Sequence, residues 1–185
     1  MDEALSNNEC SIERVVNMKF VAIDEINHFE YHDAVIKKME IIEDKMTWIV
    51  SELNATIQNS QNSFIEDMCI NECEIIFDHY KIEEIIFSAY KIFDSNQNLI
   101  ESVDARTADF EDYIGIIEDT MKNSCRIVGM IEMPETSDGR KKACFGIDGN
   151  RDYFDITFSF TKFTARWNEY NGKAWYEDKI WKEKA

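Results

Sequence analysis

The sequence predicts an α+β fold that is mainly antiparallel β, a sheet or meander accompanied by one or two amphipathic helices. Three observations carry this expectation. Phe154, Ile156, Phe158 and Phe160 alternate with Asp155, Thr157, Ser159 and Thr161, a period of two that lays four large apolar side chains on one sheet face. Asp148-Gly149 and Asn171-Gly172 stand on either side of that segment and suit type I′ hairpin turns. Between residues 108 and 122 the rhythm changes: Phe110, Tyr113, Ile114, Ile117 and Met121 recur at intervals of three and four, while Asp109, Glu111, Asp112, Glu118 and Asp119 take the other faces.

Along the chain, the first ten residues are polar and acidic, unlike a secretory leader, and together with the last few residues they are expected to be flexible. In 33–57, Val35, Met39, Ile42, Met46, Ile49 and Leu53 fit a helix with Asp33 as its N-cap. The same residues fit strands 34–42 and 46–54 joined at Glu43-Asp44-Lys45, and the Ile, Val, Thr and Trp content favours that alternative. The uncharged, wholly polar run 58–63 reads as an exposed loop. Residues 64–93 are ambiguous in the same way. Ile82, Ile85, Ile86, Ala89, Tyr90 and Phe93 fit a helical face, yet Asp94 to Asn98 resembles a hairpin tip between 85–93 and 99–103.

Further on, the alternation from Arg126 to Met133 marks a strand that ends at Pro134. Segment 141–147 should pair with 153–162, and 163–169 with 173–178, with Trp167 and Trp175 facing each other across the second hairpin. The resulting meander, 141–178, is expected to pack its Phe154, Ile156, Phe158 and Phe160 face against the helix at 108–122.

The run Phe29-Glu30-Tyr31-His32-Asp33-Ala34-Val35-Ile36, followed by a charged turn and a second apolar stretch, resembles the start of small acidic bacterial domains similar to immunity proteins of contact-dependent or polymorphic toxin systems. The resemblance covers residues 29–93 in outline and carries no catalytic residues. It implies that His32-Asp33-Ala34 opens a β-strand, that 34–54 and 67–103 are strands, and that the partner is a cognate toxin.

Composition narrows the function classes. The chain has 185 residues, 44% of them hydrophobic, which suits one domain spanning 1–185 around a single core. Six glycines and one proline leave no interdomain linker. Lys and Arg number 20 against 37 Asp and Glu, a formal charge of −17 that repels phosphate backbones and anionic lipid, so neither nucleic acid nor membrane is the expected partner. No apolar run reaches the length of a membrane span, and the five cysteines are odd in number and unnecessary as staples. Cytoplasmic location with reduced thiols follows as the expectation.

Three clusters invite chemistry. His28, Glu30 and His32 would share one face of an extended segment, and two imidazoles with a carboxylate can ligate zinc or iron, which gives a metal- or small-ligand-binding alternative. Asp94-x-Asn96-x-Asn98 begins like a calcium loop, but Leu99 and Ala105 stand where that loop needs glycine and glutamate. Cys69 and Cys73 lack the spacing of a zinc knuckle or redox dithiol. Glycine-rich phosphate loops and nucleophile elbows are absent from the sequence, so no cofactor is called for. The expected function is therefore a non-enzymatic domain that binds a basic protein. Its contact residues are expected in the aromatic-rich end, Trp167, Tyr170, Trp175, Tyr176 and Trp181.

Overall fold

Inward-facing side chains spaced by two make strands, and where a β-bulge adds a residue the spacing becomes three. That one device resolves both ambiguous stretches of the chain into strands. The computed structural model describes residues 18–122, 124–149 and 152–177. In chain order its strands are β1 Phe20–Ile23, β2 Phe29–Glu30, β3 Val35–Ile42, β4 Lys45–Ser51, β5 Leu53–Ala55, β6 Met68–Ile70, β7 Cys73–Asp78 and β8 Lys81–Phe87. They continue as β9 Tyr90–Phe93, β10 Leu99–Val103, β11 Arg106–Thr107, β12 Cys125–Met133, β13 Lys141–Asp148, β14 Tyr153–Phe160, β15 Lys162–Trp167 and β16 Tyr170–Lys173. One α-helix, α1 Tyr113–Thr120, is present among the described residues.

β3 and β4 form a hairpin from Val35↔Ser51 to Ile42↔Lys45, turned at Glu43 with φ 54°. A bulge between Ile36 and Lys38 makes Ile36, Met39 and Ile41 the inward residues, so an interval of three imitates a helix. The same happens in β8, whose inward residues Ile82, Ile85 and Phe87 flank a register shift against β14. In β12 a shift between Ile127 and Gly129 turns Met130 toward the core and leaves Ile131 exposed.

Ten strands form one antiparallel sheet in the order β1-β15-β7-β4-β3-β12-β13-β14-β8-β11. Its two halves face each other. Phe77 of β7 and Phe158 of β14 are far apart in strand order, yet their rings lie 4.8 Å apart, and Trp48 of β4 meets Phe145 of β13 at 4.9 Å. The roll is imposed by two connections that change halves together. β7 passes to β8 through His79 and Tyr80, β14 passes to β15 through Thr161, and the Thr161 amide donates to Asp78 O at 3.0 Å. Arg140 ties this corner, donating to the His79 carbonyl and, from Nε, to Ser159 Oγ at 3.2 Å. Inside, Trp48, Phe77, Phe145, Phe158, Phe160 and Phe163 are fully buried, mostly in edge-to-face contacts that suit aromatic quadrupoles.

The strand Phe154–Phe160 and its pairing with 141–148 match the expectation, from Lys141↔Phe160 to Asp148↔Tyr153. The rest of the meander does not. β15 pairs with β1 and β7, and β16 pairs with β6 in a second sheet ordered β16-β6-β5-β2. Asn171-Gly172 serves a bulge between Tyr170 and Gly172, where Gly172 takes φ 121°, and Trp167 and Trp175 are not a cross-strand pair. The helix is also shorter than 108–122. Two turns resting on the end of the roll bury only one narrow stripe, Tyr113 and Ile117 with Met121 beside them, while Phe110 and Ile114 face solvent.

Ser159, expected on an outer face, is 1% exposed, because Arg140 folds over it. Ser159→Ala is therefore expected to cost about 1 kcal/mol through the lost hydrogen bond, against about 0.5 kcal/mol or less for Thr157→Ala on the same outward row. Urea denaturation of the two variants compares them.

Two ion pairs make stability pH-dependent. Partial burial alone would raise the carboxyl of Glu83, but hydrogen bonds from Lys142, at 2.5 Å, and Ser159 outweigh it and hold the group below its usual range. Asp24 is likewise lowered against its burial by Lys141, at 2.6 Å, and the Phe163 amide, at 3.0 Å. Their stabilisation is present above the unfolded-state carboxyl values near about 4 and is lost as pH falls through the lower native values. Urea midpoints measured from pH 7 downward should fall more gently in Asp24→Asn/Glu83→Gln than in the parent, from a lower starting point.

Candidate functional site

The second, four-stranded sheet carries the residues that the sequence singles out. A turn of 3-10 helix, Ile26–His28, feeds β2, and the period of two then sends Phe29 and Tyr31 inward and Glu30 and His32 outward. Tyr31 is buried, its hydroxyl donating to Ile26 O at 3.0 Å. His28, still in the 3-10 turn, places Nδ1 3.2 Å from Glu25 Oε2. His32 places Nδ1 2.9 Å from the Val128 carbonyl, so that nitrogen carries the proton, and its amide donates to Glu30 Oε1 at 3.0 Å. The extended segment stops short of His28 on one side and bends at Asp33, with φ 68°, on the other. His28, Glu30 and His32 are thus not gathered as a ligand set, and among the described residues no group of three or more His, Cys, Asp or Glu side chains is placed to hold a metal ion.

Of the aromatic residues expected at an interface, Trp167 is a core residue, fully buried, with its ring 5.5 Å from that of Phe20. Tyr170 is half-buried and donates to Gln61 O at 3.1 Å; burial pushes its hydroxyl up to about 12. Trp181 lies outside the described residues. Trp175 and Tyr176 reach the surface as an edge-to-face pair 5.5 Å apart, with Trp175 48% exposed. Together with Glu30 and His32 they line a cleft of about 410 Å³. Sequence reasoning named all four residues but under two separate readings, because nothing local in the chain announces that the segment after β16 returns beside β2.

Asp67 ties Tyr176 to its neighbours. Its Oδ2 accepts from Tyr176 at 2.8 Å, its Oδ1 accepts from the Ile57 amide at 2.8 Å, and its carbonyl accepts from the Ala174 amide at 2.8 Å. Burial first, then the hydrogen bond to Asp67 and the negative charges of Asp67, Glu30 and Glu177, push the Tyr176 hydroxyl well above its ordinary value. The cleft therefore lies in a negative field, and a cation entering it would meet two aromatic rings and a carboxylate together.

The polar run 58–63 is a loop, as expected, with Gln58, Ser60 and Ser63 exposed, but it is anchored from within. Asn59 and Asn62 are buried, and Asn62 Nδ2 donates to the carbonyls of Ala55, Thr56 and Glu66 at 3.0–3.2 Å.

A larger cleft of about 610 Å³ opens between α1 and the turn joining β13 to β14. Arg106 lies over the Phe87 ring there, 3.9 Å from its centroid, while Glu111, Asp112, Asp119 and Lys122 supply charge of both signs. Cys73 and Cys125 are packing groups: burial pushes Cys73 far up and Cys125 to about 12, so neither is a thiolate near neutral pH. Asp94 accepts from the Asn96 and Asn98 amides, both at 2.8 Å, which makes the calcium-like sequence a hairpin tip. No helix of the described residues is long and apolar enough to cross a membrane. Compared with protein-family models, with curated proteins and with solved structures, the chain matches none.

Proposed function

We propose that the protein is a non-enzymatic binding domain that captures a basic protein, in the manner of an immunity protein acting on its cognate toxin. The observation that carries this reading is the cleft in which the Trp175 and Tyr176 rings stand beside Glu30, within the field of Asp67 and Glu177. Trp and Tyr contribute most to binding hot spots, and a Lys or Arg side chain finds there both a π surface and a carboxylate. The formal charge of −17 draws a basic partner in and raises its encounter rate by roughly 10 to 10³ at low salt.

Growth of cells that express the toxin together with this chain tests the immunity role. Protection by the parent and loss of protection with Glu30→Gln/Trp175→Ala is the expected pattern. Equal protection by both chains would remove the cleft from the account, and absence of any toxic protein partner would remove the immunity role.

A further inference from the structure

At the edge of the large sheet β8 pairs with β11 through Phe87↔Arg106 and Ile86↔Thr107. Beyond that base both strands continue as β9 and β10, which pair only with each other, from Tyr90↔Val103 to Phe93↔Leu99. Phe87 is the last buried residue before the arm, and no residue of β9 or β10 is buried. The arm extends about 15 Å at the rise of a β-strand. Its tip is closed by hydrogen bonds, Asp94 accepting from the amides of Asn96 and Asn98 and from the side-chain amide of Asn98.

The side chains on this arm are unlike those of a solvated hairpin. Tyr90, Ile92, Phe93, Leu99 and Ile100 are each between 43% and 65% exposed. Pairing puts Phe93 and Leu99 on one face, and Tyr90, Ile92 and Val103 on the other, with Ile100 as the extra residue of a bulge. Two strands alone are marginal in water, and such a hairpin needs a third strand or a packed face to be stable. Exposed strand edges bearing apolar side chains are also an aggregation hazard that folds ordinarily cover or charge.

We propose that this arm is the docking element of the protein, buried by a basic protein partner that packs on its apolar faces and adds main-chain hydrogen bonds at its open edge. The inference rests on the binding function proposed above and names a surface distinct from the aromatic cleft. Charge selects the occupant. The arm and its base carry Asp94, Glu101 and Asp104 against Lys91 and Arg106, on a chain of formal charge −17. A second copy would bring the same charge against it, whereas a partner with Lys and Arg around an apolar patch satisfies both features.

The test places a photoreactive benzoylphenylalanine at Ile100, or at Ile42 as a control on the β3–β4 turn, where the native residue is 66% exposed. The protein cross-linked in native lysate is identified, purified and titrated against the parent chain, Ile92→Ser/Ile100→Ser and Trp175→Ala. The expected result is a protein of net positive charge that cross-links through position 100 and not 42. It should bind the arm variant at least tenfold more weakly, while that variant keeps the parental melting temperature. A basic partner that binds the arm variant and the parent equally, yet is weakened by Trp175→Ala, overturns the arm and leaves the binding function standing. A cross-linked second copy, or an acidic partner, overturns the arm as argued. No protein partner at either position overturns the arm and the binding function together.

Discussion

Phe77→Ala should lower stability by about 3–5 kcal/mol. Phe77 is fully buried and meets the rings of Trp48, Phe145, Phe158, Phe160 and Phe163, contributed by β4, β13, β14 and β15. It is therefore a strut between the two halves of the rolled sheet, and no neighbour on its own strand can fill the gap it leaves. Phe158→Ala should cost a similar amount. Because the two rings touch at 4.8 Å, the double variant should lose less than the sum of the singles, by more than about 0.5 kcal/mol. Urea denaturation followed by tryptophan fluorescence measures all four corners of the cycle. Strict additivity would mean that the halves do not close on each other as described.

Asn62→Ala is expected to cost about 2–3 kcal/mol, because it removes the side-chain donor that Nδ2 offers to the carbonyls of Ala55, Thr56 and Glu66; Thr56 O keeps the Asn59 amide at 3.0 Å, but the other two lose a partner, and buried acceptors without donors are expensive. The same change removes the acceptor for the Phe64 amide, at 2.9 Å. Asn62→Asp keeps that acceptor but sets a carboxylate against the three carbonyls, so it should be no milder. Hydrogen exchange of the Ile57 and Phe64 amides should accelerate in both variants, since the loop that Asn62 holds leads directly to Asp67. Protection equal to the parent's would show that Asn62 is not the clamp.

What the sequence makes legible follows from how locally each feature is encoded. The alternation in 154–160, the pairing of the strands on either side of Gly149 and the tip at 94–98 depend on neighbouring residues, and the structure holds all three, although Asp148 is itself paired with Tyr153 rather than being a turn residue. The bulges in β3 and β8 hide strands behind spacings of three, so periodicity alone leaves 33–57 and 64–93 open. Asn171-Gly172 misleads because a glycine that takes φ above zero serves a bulge as readily as a turn. Ser159 misleads because Arg140, nineteen positions before it, covers an outward row that alternation alone would leave wet.

The site was legible in its parts but not in its assembly. Glu30 and His32 attract notice as charged neighbours, and Trp175 and Tyr176 as aromatic ones, yet only the pairing of β16, β6, β5 and β2 puts them around one cleft. The arm was harder to see. Ile92 and Phe93 have the composition of core residues, and only the strand pairing reveals that nothing in the described chain covers them.

Affinity capture from native lysate, with the parent chain and Glu30→Gln/Trp175→Ala as parallel baits at 50 and 500 mM salt, tests the binding function most directly. A protein of net positive charge should be enriched on the parent over the variant at low salt and largely lost at high salt, where the screening length shrinks to a few ångströms. An enriched protein that is acidic, that is held equally by both baits, or that is indifferent to salt would contradict that function, as would the enrichment of none.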